Sequence, residues 1–208
     1  NPFATIQYGI DNIPENDSLL IHVGTYQENL FFDKSLVLIS EDLQNTIIDG
    51  NGSKAVTIDE NYVSVIFDNL TFKNGGNCSM DSEGGIISGN GAVSINNCLI
   101  LGTVYIHGGN NSSITNSTIY STGCIYDAGY FYAAIYSCSE ISVENSIVVS
   151  ETGKPIDCDN SSNFPTNVSN NLIYSFSDNI QDLYDESNLI SNPLFCDIQN
   201  GDFRVEEN

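Results

Sequence analysis

Both histidines of this 208-residue chain can be placed in one file with two carboxylates. Short apolar segments recur along the chain, and each contains an isoleucine that can anchor it in a core. The anchors are Ile21, Ile58, Ile87, Ile106, Ile135 and Ile156. The residues that follow the anchors are His22, Asp59, Ser88, His107, Tyr136 and Asp157. Histidine and carboxylate side chains along one exposed sheet face are suited to acid–base chemistry on an extended polysaccharide.

Within this file, His107 and Asp157 are the candidate catalytic residues. His107 would act as a general base, and Asp157 would lie two coils away, at ~10 Å. That separation exceeds the spacing of a retaining carboxylate pair and is nearer to the inverting arrangement. The alternative is an ordinary exposed sheet face, on which every second residue is polar. The residues leave both interpretations open.

Aromatic residues provide a second candidate for carbohydrate binding. The segment CIYDAGYFYAA and its continuation contain Tyr126, Tyr130, Tyr132 and Tyr136. Aromatic faces stack on sugar rings, and tyrosine adds a hydroxyl group. Alternatively, these rings pack an inserted loop against the body of the protein. The predicted ligand-binding residues are His22, Asp59, His107, Tyr126, Tyr130, Tyr132, Tyr136 and Asp157.

The charge of the chain excludes some partners and favours others. Asp and Glu number 27, Lys and Arg number 5, and the net charge is -22. Nucleic acids and anionic membranes are therefore excluded as partners, because both require clustered basic residues. No apolar run reaches the ~18 residues of a membrane span, so no membrane insertion is expected. We expect no cofactor, although Ca²⁺ is compatible with so many carboxylates and no metal ligands are assigned.

Six cysteines occur without any CxxC spacing, which disfavours zinc ribbons and thioredoxin-like sites. Cys138 and Cys158 follow two successive anchors closely, so they are expected one coil apart and within reach of a disulfide. Cys78 and Cys124 lie in loops two coils apart and form a second candidate pair, provided that the loops lean together. The sequence does not choose among the connectivities.

A repeated asparagine reveals the elements that position these residues. Five segments read VIFDNLTF, VSINNCLI, SSITNSTI, ISVENSIV and TNVSNNLI. Their shared residues are Asn69, Asn97, Asn116, Asn145 and Asn170. An apolar residue lies two positions before each asparagine and another lies three positions after it, as in the stacked coils of a solenoid. Asparagine tolerates a sharp corner, and stacked amides can hydrogen-bond from coil to coil, so we interpret the five as a structural ladder.

The fold class predicted is therefore all-β. Three short strands in each turn describe a single-stranded right-handed parallel β-helix, or β-solenoid, of about six or seven coils. A short N-terminal capping helix is predicted over residues 5–11, at the open end of the solenoid. The chain is one domain over residues 1–208, with a cap at 1–18, coils at 19–176 and an irregular acidic segment at 177–208.

Several of these segments resemble a known family. ATIQYGID, LLIHVGTYQENL, LVLISED, TIIDGNG and VSVIFDNLTFKNGG are similar to secreted right-handed parallel β-helix proteins of the pectate-lyase-like superfamily. The tail SNPLFCDIQNGDFRV resembles the segment after the helix in many bacterial surface proteins of that kind. The resemblance implies this fold and an extracellular or cell-surface location. It does not fix an activity, because the family contains lyases, hydrolases, epimerases and adhesins.

The chain lacks the catalytic motifs of two enzyme groups in that family. The lyases use an acidic Ca²⁺ cluster with a basic residue, but here the one arginine is Arg204, beyond the repeats. The polygalacturonases carry Gly-His-Gly and Arg-x-Lys, whereas this chain has Ile106-His107-Gly108-Gly109. The leading expectation is therefore a non-catalytic extracellular scaffold or adhesion module that binds a polysaccharide or cell-surface glycan. The alternatives are a polysaccharide lyase or glycoside hydrolase, and a filament subunit that contacts other copies of itself.

Overall fold

The computed structural model is a parallel β-solenoid, as the repeats predict. It describes residues 3–59, 63–75, 87–106, 111–122, 124–125, 131–137, 139–157, 167–177, 179–181, 183–198 and 202–205. Within those ranges, three parallel sheets contain seven, eight and six strands. From the first strand to β22 (Leu172–Ser175), the strands of these sheets follow one another from sheet to sheet, so each full turn of the chain adds one strand to every sheet. The fold class is thereby confirmed.

The three sheets are named here A, B and C. Sheet A contains β1 (Ser18–Ile21), β4 (Leu36–Ser40), β7 (Ser64–Asp68), β10 (Ala92–Asn96), β13 (Ser112–Thr115), β18 (Ile141–Glu144) and β21 (Asn167–Ser169). Sheet B contains β2 (Gly24–Gln27), β5 (Thr46–Asp49), β8 (Thr71–Lys73), β11 (Leu99–Leu101), β14 (Thr118–Ser121), β19 (Ile147–Ser150), β22 (Leu172–Ser175) and β23 (Leu189–Ile190). Sheet C contains β3 (Leu30–Phe32), β6 (Val56–Ile58), β9 (Ile87–Gly89), β12 (Val104–Ile106), β17 (Ile135–Ser137) and β20 (Ile156–Asp157). Two antiparallel hairpins lie outside these sheets: β15 (Cys124–Ile125) with β16 (Phe131–Tyr132), and β24 (Phe195–Asp197) with β25 (Asp202–Val205).

The hydrophobic core fills the bore between the sheets. Every second residue of a strand points inward, and the inward side chains are mostly fully buried Val, Ile, Leu and Phe. Near the N-terminal end, Phe67 makes edge-on contacts with Phe32 and Phe72 at ring-centre distances of 5.7 and 5.2 Å. Edge-on packing lets three large rings share the bore without clashing.

The repeated asparagines lie at the corner between sheets A and B. All five have positive φ angles between 49° and 63°, the left-handed conformation that asparagine tolerates better than most residues. Asn97 also donates its amide to the side-chain oxygen of Asn69 at 2.8 Å, whereas Asn116 donates to Asn96 at 3.0 Å. Four of the five are exposed and Asn69 is half-buried, so their main contribution is the shape of the corner.

A second and fully buried ladder lies one residue further along. Backbone N–H groups donate from coil to coil: Cys98 to Ser117 Oγ at 3.0 Å, Ser117 to Ser146 Oγ at 3.2 Å, and Ser146 to Asn171 Oδ1 at 2.8 Å. Asn171 N–H continues the series to Asn188 Oδ1 at 3.1 Å. The repeat therefore holds the coils together through Ser117, Ser146 and Asn171, which follow three of the five asparagines and accept these hydrogen bonds with their side chains.

The N-terminal end is covered by the predicted helix, α1 (Ile6–Asn12). Thr5 caps it by accepting a hydrogen bond from the Tyr8 N–H. Glu28 accepts two more, from the Ile6 and Gln7 N–H groups at 3.0 and 2.9 Å. A carboxylate at this position satisfies the free amides and the positive end of the helix dipole.

The C-terminal segment differs from the prediction of an irregular tail over residues 177–208. It adds β23 to sheet B and forms the hairpin β24–β25. The strands are short and follow no repeat, so the sequence gives little sign of them. The hairpin folds back against sheet B and forms one wall of the groove described below.

The predicted disulfides lie mostly outside the described residues. This is the case for Cys78, Cys138 and Cys158, and of Cys124 only the backbone, in β15, is described. Cys98 and Cys196 are free cysteines, the first buried and the second exposed. Both candidate pairings therefore stay predictions.

Candidate functional site

The sheet register does not form the predicted file of histidines and carboxylates. In sheet C, Tyr136 lies between Tyr105 and Asp157, and Tyr105 pairs with Ser88. Ser88 in turn pairs with Thr57, which pairs with Phe31. The file is therefore Phe31, Thr57, Ser88, Tyr105, Tyr136 and Asp157. Ser88, Tyr136 and Asp157 were placed correctly in it, and Asp59 and His22 were not.

The error has a physical cause. Strand β6 has two inward residues, Val56 and Ile58. The alternation of inward and outward residues in a strand shows which face each residue lies on. It does not show which of the two inward residues aligns with the inward residue of the next coil. Val56, and not Ile58, aligns with Ile87, so Asp59 lies two residues beyond the file. Ile21 belongs to β1 of sheet A, and His22 is therefore not on sheet C.

The predicted site residues are consequently dispersed. His22 and Asp59 are exposed, at different places on the surface. The rings of Tyr136 and Tyr105 stack in parallel at 5.2 Å, and both are less than 10% exposed. Asp157 forms an ion pair with Lys154 at 2.9 Å. His107, Tyr126 and Tyr130 lie outside the described residues, as does the side chain of Tyr132.

A large polar concavity lies elsewhere, between sheet B and the hairpin β24–β25. This groove encloses about 820 Å³. Its lining combines amides, hydroxyls, aliphatic side chains and both kinds of charge. The residues that form it are Leu43, Gln44, Asn45, Ile47, Thr71, Lys73, Asn97, Cys98, Leu99, Leu101, Asn116, Thr118, Asp202, Phe203 and Arg204.

The coil register forms the floor of the groove. Ile47, Thr71, Leu99 and Thr118 pair in sequence across four adjacent strands of sheet B. Strands stack at ~4.8 Å, so the floor extends for roughly 14 Å along the solenoid axis. The exposed corner asparagines Asn97 and Asn116 line one side. Two of the five repeat asparagines thereby contribute side-chain amides to a surface.

Three aromatic rings fix the opposite wall. Phe203 of β25 and Phe195 of β24 pack on Tyr120 of β14, with ring centres 5.2 and 6.2 Å apart respectively. The Tyr120 hydroxyl donates a hydrogen bond to the carboxylate of Glu151. Burial, and then this carboxylate, raise the pKa of Tyr120 far above its ordinary value. The phenol therefore remains a hydrogen-bond donor to Glu151 across the physiological pH range, while the ring of Tyr120 holds the hairpin through Phe195 and Phe203.

The charged groups of the groove are concentrated on β25 and β8. Arg204 donates to Asp202 from Nε at 2.8 Å and from Nη2 at 2.6 Å. These hydrogen bonds lower the pKa of the half-buried Asp202 carboxyl to about 2. The Arg204 side chain is still 75% exposed, so its remaining donors can bind a ligand. Lys73 lies 3.8 Å from Asp49 and keeps a third of its side chain exposed.

Sequence reasoning missed this site, although one signal was present. Lys73 and Arg204 are two of only five basic residues in the chain. Lys73 has no acidic cluster beside it in the sequence, and Arg204 lies beyond the repeats, so neither stands out as a functional residue. The hairpin carries Arg204 back to the coils, a long-range contact that no local pattern encodes.

Two further features concern metals and membranes. Within the described ranges, no three His, Cys, Asp or Glu side chains are grouped in a way that would hold a metal ion. The expectation about Ca²⁺ stays a prediction. The part of the chain that the structure describes contains no helix with the length and apolar character of a membrane span.

The class of protein is a parallel β-helix, and the solved structures that match it include pectin methylesterases. The match to a pectin methylesterase from Yersinia enterocolitica has a TM-score of 0.59 at 12% identity, covering 89% of this chain and 69% of that one. Two pectin methylesterase structures in complex with hexasaccharides match with TM-scores of 0.57 and 0.53. Both are 16% identical to this chain, and each match covers 65% of the pectin methylesterase chain. The chain thus spans about two thirds of these proteins. No protein family profile and no curated protein matches the sequence.

This comparison corrects the leading functional expectation. The expectation was a non-catalytic scaffold or adhesion module, whereas the three matched structures described above are pectin methylesterases. The alternative of an enzyme that acts on a polysaccharide agrees better with that finding. At 12–16% identity the likeness establishes the fold alone.

Proposed function

We propose that this chain is a carbohydrate esterase that binds an extended, pectin-like polysaccharide in the groove between sheet B and the hairpin β24–β25. The observation that carries the proposal is the groove itself. Its floor crosses four strands and its sides present amides and charged groups. Elongated polymers require such an open, polar surface, whereas small metabolites are usually enclosed in apolar pockets.

The charges of the groove favour an acidic polymer. The chain has a net charge of -22, which opposes the approach of an anionic ligand in general. Two of the five cations nevertheless line this groove. Arg204 presents planar N–H donors that suit a carboxylate, and Lys73 adds a point charge. Phe203 provides an apolar surface for a sugar ring.

Asp202 is the carboxylate that we assign to the chemical step. It is the one acidic residue among the described residues that line the groove. Arg204 keeps it ionised, because the pKa of its carboxyl lies at about 2. So weak a base is a poor proton acceptor, but it is an anion at every physiological pH and can serve as a nucleophile. Attack of its oxygen on the ester carbonyl would form an anhydride and expel methoxide, which takes a proton from water. The hydroxide left behind would then cleave the anhydride, which gives the carboxylic acid and restores the Asp202 carboxylate. Arg204 and Lys73 would stabilise the negative charge that develops on the ester oxygen.

Release of methanol from methyl-esterified pectin tests this proposal. The overall reaction consumes water and the methyl ester and yields a carboxylic acid and methanol. We expect the unmodified protein to release methanol, and Asp202→Asn to lose that activity while retaining binding. Asp185→Asn is the matched control, since Asp185 is an exposed carboxylate of the same tail that hydrogen-bonds Ser187 and Asn188 outside the groove.

The possible outcomes distinguish an error in the proposed esterase activity from an error in the assignment of Asp202. Methanol release that persists in Asp202→Asn would overturn the assignment of Asp202 and leave the esterase activity intact. No methanol release and no binding by the unmodified protein would overturn the proposed function. Because pectin-like polymers are extracellular, the proposal also implies action outside the cell.

A further inference from the structure

The outward face of sheet A changes character along the solenoid axis. Two outward rows run along this sheet, one residue from each strand in each row. One row is Ser18, Val37, Ile66, Ser94, Ser113, Ser142 and Asn167. The other is Leu20, Ile39, Asp68, Asn96, Thr115, Glu144 and Ser169. In both rows, the last four strands present polar residues only. The first three strands supply six positions, and four of these hold large apolar residues.

The apolar residues form one patch. Leu20 pairs with Ile39, and Val37 pairs with Ile66, while Val37 and Ile39 are two residues apart on β4. Leu20 is 46% exposed and Ile66 is 37% exposed. Contiguous exposed apolar side chains with a polar rim are typical of interaction sites.

The polar strands demonstrate that the fold does not require this patch. Asn96 donates to Asp68 at 2.8 Å, and Thr115 donates to Asn96 at 3.1 Å. Ser142 donates to Glu144 at 2.9 Å. The outward positions of sheet A therefore accept polar side chains that bond along the row. Leu20 and Ile66 occupy equivalent positions, yet 46% and 37% of their surfaces stay exposed.

Carboxylates surround the patch. Asp17 precedes β1, Glu41 follows β4, and Asp68 ends β7; the first two are exposed and the third is half-buried. Lys34, which precedes β4, is occupied elsewhere, since its ammonium group donates to the carbonyls of Asp11 and Ile13 at 3.3 and 2.7 Å. Three carboxylates against one ammonium group leave the rim with a net negative charge.

We propose that this patch docks an amphipathic helix with basic flanks, supplied by a partner protein. The apolar stripe of the helix would cover the patch, and its Lys or Arg residues would meet Asp17, Glu41 and Asp68. A second copy of this chain fits poorly, because it would set two carboxylate rims against each other and adds a net charge of -22. An anionic membrane is repelled for the same reason. The surface is separate from the proposed polysaccharide groove, which lies on sheet B.

A synthetic peptide tests the proposal. A Leu/Lys amphipathic peptide of about 18 residues is long enough to form a helix, and a Leu/Glu peptide of the same pattern is its counterpart. Titration calorimetry should detect one binding site for the basic peptide and none for the acidic one. Leu20→Ser with Ile66→Ser should weaken that binding by roughly tenfold or more. Ser113→Ala with Ser142→Ala, on the polar strands of the same face, should leave it unchanged.

The other outcomes contradict the proposal. Equal affinity of the basic peptide for the Leu20→Ser/Ile66→Ser variant would mean that charge alone attracts it. Equal binding of the acidic peptide would show that the carboxylates of the rim do not select the partner. Failure of the basic peptide to bind would show that the patch is not a docking site for such a helix. Light scattering could instead detect a dimer that dissociates when the same two substitutions are made. That result would mean that the patch binds a second copy of the chain.

Discussion

The side-chain amide of Gln7 hydrogen-bonds both backbone groups of Phe31. The Phe31 N–H donates to Gln7 Oε1 at 2.8 Å, and Gln7 Nε2 donates to the Phe31 carbonyl at 3.1 Å. Phe31 lies in β3, the terminal strand of sheet C. At the opposite end of that sheet, the Tyr184 hydroxyl accepts from the Ile156 N–H at 3.2 Å and donates to its carbonyl at 3.3 Å. Side chains thus occupy the two edges at which another strand would add.

Removing these two side-chain contacts should allow copies to stack end to end. We expect Gln7→Leu combined with Tyr184→Phe to form concentration-dependent oligomers, because both edges of sheet C regain free backbone groups. Analytical ultracentrifugation measures the effect. Gln181→Leu is the control, since it makes the same change in an exposed turn. Oligomers in the control, or a double variant that sediments like the unmodified protein, would refute the role of the two side chains.

The buried corner ladder should contribute measurably to stability. Ser117→Ala leaves the buried Cys98 N–H without its acceptor, which costs roughly 1–3 kcal/mol. Ser113→Ala, on the outward face of the same coil, should cost less than about 0.5 kcal/mol. Urea unfolding of the two variants gives both values. Equal destabilisation would mean that the corner hydrogen bonds carry no special weight.

The thiol of Cys98 should make stability depend on alkaline pH. Burial raises the pKa of Cys98 from 9.0 to about 12. Below pH 9 the thiol is protonated in both states, and between 9 and 12 it ionises only when the chain is unfolded. Stability contributed by this group is therefore present at neutral pH and falls as the pH rises through that window.

Comparison with Cys98→Ala isolates this effect from the buried tyrosines. The stability advantage of the unmodified protein over the variant should shrink between about pH 8 and about pH 10.5. Chemical denaturation at the two pH values measures it. If the difference in unfolding free energy between the two proteins is the same at both pH values, the pKa of the Cys98 thiol in the folded protein lies near its ordinary value.

The fold was predictable from the sequence, because its determinants are local and repeated. Asn97 and Asn116 identify the corner, and the apolar residues around them identify the bore. Strand register was less predictable, since alternation leaves a two-residue ambiguity that displaced Asp59 from the predicted file. The groove was beyond prediction. It depends on the packing of Phe203 against Tyr120, which are far apart in the chain and share no pattern.

Binding of a partly methyl-esterified hexagalacturonide is the most direct test of the polysaccharide groove. Titration calorimetry should detect binding by the unmodified protein, because Lys73 and Arg204 attract its carboxylates. Affinity should fall by roughly tenfold when Lys73→Gln and Arg204→Gln are combined. Lys54→Gln, which also removes a lysine charge but lies outside the groove lining, should leave it unchanged. Affinity unaltered by the double substitution, or lost equally in Lys54→Gln, would contradict a binding site between sheet B and the hairpin.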